Sequence, residues 1–340
     1  MQVSTKALPD LLEQVFQAGL VPMVSSSPGM GKSSIAKQVA DNLNLKVIDV
    51  RLSTCDPTDL NGFPTVNAER TKAGYIPMDV FPIESDEVPN GYCGWLILLD
   101  ELTSAPLAVQ AAAYRLVLDR EVGIHKLHPN VCIMGAGNLA TDKAHVNRMS
   151  TAMQSRLVHF EMKTDVNQWI NWAATNNIDY RIISYIQYRP EMLHDFAPTQ
   201  NDKTFPCGRT WEMVSKLIAP LKTISTKHLP LIVGAISEGP AREFLGFTKI
   251  FDSSLPKIHD ILNNPDAVVI PNEPSISYAL SGLLTNHMDV TTAPAIMKVV
   301  NKMGMEFQMI TLTQSIKRNR ELNRLPEIQK WVVDNAPDLA

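Results

Sequence analysis

The sequence predicts an α/β protein, a doubly wound parallel sheet followed by an all-helical region. Three observations predict it. Short apolar runs at residues 20–24, 46–52, 95–99, 131–136 and 157–162 put Val, Ile and Leu on consecutive positions, which is how strands buried on both faces of a parallel sheet read. Helical patterns lie between several of these runs, so strand and helix alternate. From residue 165 onward the pattern is helical.

Taken in order, residues 1–14 carry scattered charges and read as an amphipathic helix without the apolar core of a signal peptide. The first run contains Pro22, which cannot donate to a ladder and is tolerable only near a strand's beginning. Ile35, Ala36, Val39, Ala40 and Leu43 then make one apolar helix face. Residues 56–94 are rich in Pro and Gly, have no clean period and are long for a plain connection, which marks a functional insertion. Pro106 suits a first helical turn, and the helix continues from Leu107 to Leu118. A hairpin is expected near residues 120–129, before the fourth run. Beyond it, Val166, Trp169, Ile170 and Ala173 share one helix face, and residues 211–217, 241–251 and 294–303 are similar. Domains are therefore expected at 1–164, the α/β layer, and 165–340, the helical part.

Composition bounds the function. The chain has 340 residues, of which 45 % are hydrophobic and 19 % charged, so a sizeable core is expected and disorder is not. A net charge of −4 without a basic block disfavours a constitutive nucleic-acid binder. Cys55, Cys93, Cys132 and Cys207 form no CxxC pair and read as reduced thiols. No run of roughly 18 apolar residues exists, so no membrane span is expected. These features together suggest a cytoplasmic protein.

The strongest motif is Ser26-Ser27-Pro28-Gly29-Met30-Gly31-Lys32-Ser33, which follows a strand and opens a helix. Backbone N–H groups of such a turn wrap phosphates, and the helix N-terminus adds positive dipole. The phosphate-binding set is Ser27, Pro28, Gly29, Met30, Gly31, Lys32, Ser33 and Ser34. Lys32 is expected on the β- and γ-phosphates of ATP and Ser33 on Mg²⁺. Ser26 departs from the motif's usual first glycine, whose backbone freedom such a turn often needs. The run ending Leu99-Asp100-Glu101 reads as Walker B, with Asp100 on Mg²⁺ and Glu101 as general base. The run ending Gly137-Asn138 offers an amide to the γ-phosphate or the lytic water. Ordinary turn and capping roles compete for each motif taken alone. His125 and His128 have no thiol or carboxylate pattern beside them, so they are not read as a metal pair.

These motifs, in this order, resemble the AAA+ superfamily. Asp56-Pro57-Thr58-Asp59-Leu60-Asn61-Gly62, Leu99-Asp100-Glu101-Leu102-Thr103-Ser104-Ala105-Pro106 and Leu118-Asp119-Arg120-Glu121 resemble segments of its MoxR-like group. The resemblance spans roughly residues 8 to 220. It implies a five-stranded core in the order 5-1-4-3-2, a helical lid, and loops at residues 56–94 and 120–130 that face a pore or partner. It makes Asn138 the sensor 1 residue and Arg156 an arginine finger acting on a neighbouring subunit, with Arg148 as rival. It makes Arg209 the sensor 2 residue, although Gly208 stands where the family more often has Pro. Arginine suits these roles through its planar, permanently charged fork. The implied protein is an ATPase working as a homo-oligomeric, hexameric ring that remodels or matures a client, often one with a von Willebrand factor A domain. The alternatives are a DNA-associated motor or loader, which would carry a basic pore loop, and a nucleotide-dependent scaffold, which Lys32 and Glu101 argue against.

Overall fold

The computed structural model describes residues 2–139, 142, 147, 149–196 and 202–335. The chain divides into two compact units, Met1–Asp165 and Val166–Phe196 with Gln200–Ala340. Among the described residues the first unit holds strands β1 (Gln2–Ser4), β2 (Val21–Ser26), β3 (Leu45–Arg51), β4 (Phe63–Val66), β5 (Ala73–Ile76), β6 (Gly94–Asp100), β7 (Glu121–Val122), β8 (His125–Lys126), β9 (Val131–Asn138) and β10 (Leu157–Lys163). Its helices are α1 (Leu8–Gln17), α2 (Lys32–Asn42), α3 (Pro57–Asn61), α4 (Leu107–Leu118) and α5 (Thr151–Gln154).

The central sheet runs β1-β10-β2-β9-β6-β3, and all its pairs are parallel. The five expected strands take the order 5-1-4-3-2. The sheet nevertheless has six strands, because the N-terminus is not helical from its start. Val3 pairs with Met162 on the open edge of β10, and the helix begins only at Leu8, with Pro9 in its first turn. Three residues are too few to show a period, so this strand had no signature in the sequence. Pro22 is the second residue of β2; it lies level with Val158 of β10, and the β2–β9 ladder starts only at Met23.

Strand β6 is buried at all seven positions. Trp95, Ile97 and Leu99 point into one core with Val109, Ala113 and Leu116 of α4. Leu96 and Leu98 point into the opposite core with Leu8 and Leu12 of α1 and with Ile35 and Val39 of α2. This alternation makes the sheet doubly wound. Leu96, Ile97, Leu98 and Leu99 are each wholly buried, worth roughly 1.5–3 kcal/mol per side chain.

The insertion at 56–94 has more order than its composition suggests. Asp56 caps α3, accepting from the Thr58 N–H at 2.7 Å, while the Asp59 carboxylate accepts from the Asp56 N–H at 2.8 Å. The Thr58 hydroxyl and N–H hold the Asp56 carboxyl below its usual range. Strands β4 and β5 then form an antiparallel hairpin, and β7 and β8 form the expected second one. In that second hairpin His125 Nε2 lies 3.1 Å from the Tyr75 carbonyl, and His128 sits edge-on to Trp95.

The second unit is helical: α6 (Val166–Thr175), α7 (Tyr180–Tyr188), α8 (Gly208–Ile218), then helices at Leu229–Ile236, Glu238–Ser253, Ile258–Asn263, Pro274–His287, Ala293–Val300, Met305–Arg318 and Pro326–Asp334. One core packs Tyr185, Trp211, Phe244 and Phe247. A second packs Leu280, Leu284, Ile296, Val300 and Leu312. Helix Pro274–His287 serves both, giving Ala279 to the first and Leu280 to the second. The late helices are thus continuous with the earlier ones. No helix among the described residues is long and apolar enough to cross a membrane.

Asp179 and Arg181 form an ion pair at 2.7 Å, with side chains 8 % and 6 % exposed. Arg181 also donates to the Ile218 and Leu221 carbonyls, tying α7 to the end of α8. Asp179→Ala strands this guanidinium and is expected to cost about 3–5 kcal/mol. The melting temperature of the second unit's transition should fall well below the wild-type value; an unchanged value would contradict this role.

Candidate functional site

Parallel strands deliver their carboxyl ends to one edge, and the candidate residues gather there. Strand β2 ends at Ser26, level with Asn138 at the end of β9. Strand β6 ends at Asp100, level with Arg51 at the end of β3. The turn after β2 reaches α2 through Gly29 (φ 77°) and Gly31 (φ 90°), left-handed conformations that favour glycine. Ser26 is not in that region of φ. It is the last strand residue and fully buried, so its departure from the usual glycine costs the turn nothing.

Lys32 opens α2 and turns back over the loop. Its Nζ donates to the Ser26 carbonyl at 3.1 Å, the Ser26 Oγ at 3.1 Å and the Asn138 Oδ1 at 3.0 Å. Ser27 donates to the Asp142 carboxylate at 3.2 Å. Ser33 Oγ donates to Asp100 Oδ2 at 3.2 Å, while Asp100 Oδ1 accepts from the Glu101 N–H at 2.8 Å. A hydroxyl and a carboxylate converging at the foot of a phosphate loop are hard oxygen donors. They suit Mg²⁺, which takes few protein ligands and fills its shell with phosphate oxygens and water. Among the described residues no cluster of three or more His, Cys, Asp or Glu competes as a metal site. Ser34 is exposed on the outer side of α2.

Glu101 sits at φ 57° and ψ 31°, a left-handed position that costs a non-glycine residue about 1–2 kcal/mol. The Ser53 hydroxyl donates to Glu101 Oε2, and Arg51 Nε lies 4.0 Å from Oε1. Both this arginine and this glutamate are substantially exposed, so the ion pair is weak. Sequence reasoning missed Arg51, Ser53 and Asp142. The strand order was the usable signal for the first two, since it sets β3 beside β6.

Arg156 and Arg209 belong to different units. Arg156 precedes Leu157, which pairs with Val21 at the opposite end of β2 from Ser26. Five strand residues at roughly 3.3 Å each make that about 16 Å, farther than an arginine side chain extends. Its NH1 donates to the Ala152 carbonyl at 2.9 Å and its guanidinium lies 5.4 Å from the Tyr114 ring centre. Arg209 is exposed in the first turn of α8, in the second unit. That turn is fixed by Trp211, whose Nε1 donates to the Met192 carbonyl at 2.7 Å. Arg148 lies outside the described residues.

Behind the site, β9 runs on past β6, whose ladder with it stops at Leu99 and Gly135. The turn Leu102–Ser104 presses into the space left. Thr103 Oγ1 accepts from the Asn138 N–H at 3.0 Å and lies 3.3 Å from the Asn138 carbonyl, to which it donates. A Cβ on Gly137 would stand 2.6 Å from that oxygen and 2.8 Å from Met23 Cε. Gly135 and Gly137 are therefore packing glycines.

No family model and no curated protein matches the chain. Among solved structures it is similar to a mutant of Thermotoga maritima RuvB, with 18 % identity, 77 % of this chain and 75 % of that one covered, and a TM-score of 0.36. It is similar to a Cytophaga hutchinsonii protein assigned as an ATPase by inference, at 16 % identity, 72 % and 67 % coverage and a TM-score of 0.36. A third is the Thermotoga maritima RuvB Holliday junction branch migration motor, at 16 % identity, 77 % and 75 % coverage and a TM-score of 0.35. Backbones that differ this much transfer no residue roles.

The close packing at Gly137 gives a stability test. Gly137→Ala is expected to cost about 1–3 kcal/mol through overpacking. Gly234→Ala, on an exposed helical position with open space around it, should hold or slightly raise the melting temperature. Equal effects of the two substitutions would contradict the packing described.

Proposed function

We propose that this chain is an ATP-hydrolysing P-loop ATPase of the AAA+ type, resembling the MoxR group. It works as a ring, hexameric by that resemblance, and uses hydrolysis to remodel or mature a partner protein. The observation that carries this reading is the convergence of Lys32, Ser33, Asp100, Glu101 and Asn138 at one edge of the sheet.

In this reading the backbone from Ser27 to Ser34 cradles the phosphates, and Lys32 exchanges acceptors in its own loop for β- and γ-phosphate oxygens. Ser33 and Asp100 hold Mg²⁺, which supplies neutralisation of the phosphate charge. Glu101 takes the proton as a water oxygen bonds to the γ-phosphorus and the bond to the bridging oxygen breaks, leaving ADP and phosphate. Asn138 orients the water or the γ-phosphate. Arg209 acts on the nucleotide of its own subunit. The distance of Arg156 from its own loop supports action on a neighbour's nucleotide.

The two hairpins of the first unit support a client-facing role. Phe63 is 66 %, Ile76 55 % and Ile124 64 % exposed on them. A client with a von Willebrand factor A domain is what the family resemblance suggests. The DNA-motor reading gains no support there. Of the few basic side chains in these insertions, Arg120 is engaged with the Val131 carbonyl.

The ATPase rate per chain should rise steeply with protein concentration. Glu101→Gln should lower kcat by about 10²–10⁴-fold and Arg156→Ala by about 10³–10⁵-fold, both still binding ATP. Lys32→Ala should lose ATP binding. A rate per chain independent of concentration, or full activity in Arg156→Ala, would contradict the shared site. Salt-sensitive stimulation by duplex DNA would favour the motor instead.

A further inference from the structure

We infer that Thr103 is a positioning residue for hydrolysis, coupling the Glu101 turn to Asn138 through a single buried hydroxyl. The inference rests on the ATPase reading of the site and adds to it a residue with no expected role.

Asn138 lies at the end of β9, where the ladder survives on one side only. Ser26 of β2 is its partner there. On the other side β6 has already turned away into the Leu102–Ser104 turn. The backbone N–H and carbonyl of Asn138 that face this gap would lack partners, and both are met by Thr103 Oγ1. One hydroxyl thus does the work of the missing strand, accepting one hydrogen bond and donating one. It is 6 % exposed, so water does not readily substitute for it.

The same turn carries the candidate base. The Ser104 N–H donates to the Glu101 carbonyl at 2.9 Å, and Thr103 lies between these two residues. The Thr103 carbonyl accepts from the Asn147 N–H at 2.7 Å, which ties the turn on its outer side. The Asn138 side chain in turn meets Lys32 at 3.0 Å. A continuous path therefore runs from Glu101 through Thr103 to Asn138 and Lys32. The missing Cβ of Gly137 makes the approach possible, since an added Cβ would stand 2.6 Å from Thr103 Oγ1. In an active site, misplacement of such groups by about 1 Å can cost roughly 10²-fold in rate.

The test compares Thr103→Val, which keeps the shape and removes the hydroxyl, with Thr103→Ser, which keeps the hydroxyl. Full-length proteins are assayed for ATP hydrolysis, for binding of a fluorescent ATP analogue and for amide hydrogen exchange across Val131–Asn138. Thr103→Val is expected to lose at least about tenfold in kcat, with KM for ATP within about threefold of wild type. Its Asn138 amide should exchange at least about tenfold faster. Thr103→Ser should restore both. Wild-type kcat in Thr103→Val, unchanged exchange at Asn138, or equal loss in Thr103→Ser would each overturn the inference. If Thr103→Val fails to fold, Thr103→Ala takes its place: it also removes the hydroxyl, and wild-type kcat or unchanged exchange at Asn138 in it would overturn the inference. A wild type that binds the analogue without hydrolysing ATP would instead sink the ATPase reading, while exchange would still report the anchor.

Discussion

Four consecutive side chains, Leu96 to Leu99, lie wholly inside two apolar layers, and the strand that carries them can leave those layers only at its carboxyl end. Asp100 and Glu101 are the first polar residues it meets there. Because the neighbouring strands run parallel, β2 and β9 release their own polar ends, Ser26 and Asn138, at the same edge. The site follows from this burial: Ser26, Asp100 and Asn138 are strand ends, and the loop after β2 brings Lys32 and Ser33 of α2 against them. Polarity appears where three buried strands stop, and the left-handed Glu101 is the strained residue that turns the chain out.

Much of this was legible in the sequence. Apolar runs marked β2, β6 and β9, which are buried on both faces, and located β3 and β10, which carry exposed positions; the glycine-rich turn between a strand and a helix marked the loop that holds Lys32. What could not be read was non-periodic or non-local. β1 is too short for a pattern and exists because β10 has an open edge. The β4–β5 hairpin sits in a Pro- and Gly-rich stretch, and its large apolar residues face outward, so no burial period betrays it. Ser53 and Thr103 matter through contacts made across the sheet, with Glu101 and Asn138 respectively, that no spacing along the chain encodes. Gly135 and Gly137 had no packing signature in one dimension and are packing residues in three.

The two units differ in what holds them. The first is a sheet with two apolar faces, and the proposed chemistry sits at the ends of its buried strands. The second is helices around an aromatic cluster of Tyr185, Trp211 and Phe244, cross-tied by the buried Asp179–Arg181 pair. Arg209 stands in a helix turn that Trp211 fixes, and the Arg156 guanidinium lies over the Tyr114 ring. In the proposed mechanism assembly is required, because the arginine that completes one subunit's site comes from the next.

The most direct test of that claim is complementation. Glu101→Gln retains the trans arginine and lacks the base; Arg156→Ala retains the base and lacks the arginine. Each should be near background alone. Mixed in equal amounts and allowed to reassemble, they should regain about a quarter of the wild-type rate, because one interface in four then pairs an intact base with an intact arginine. A mixture no more active than its components would contradict the shared site.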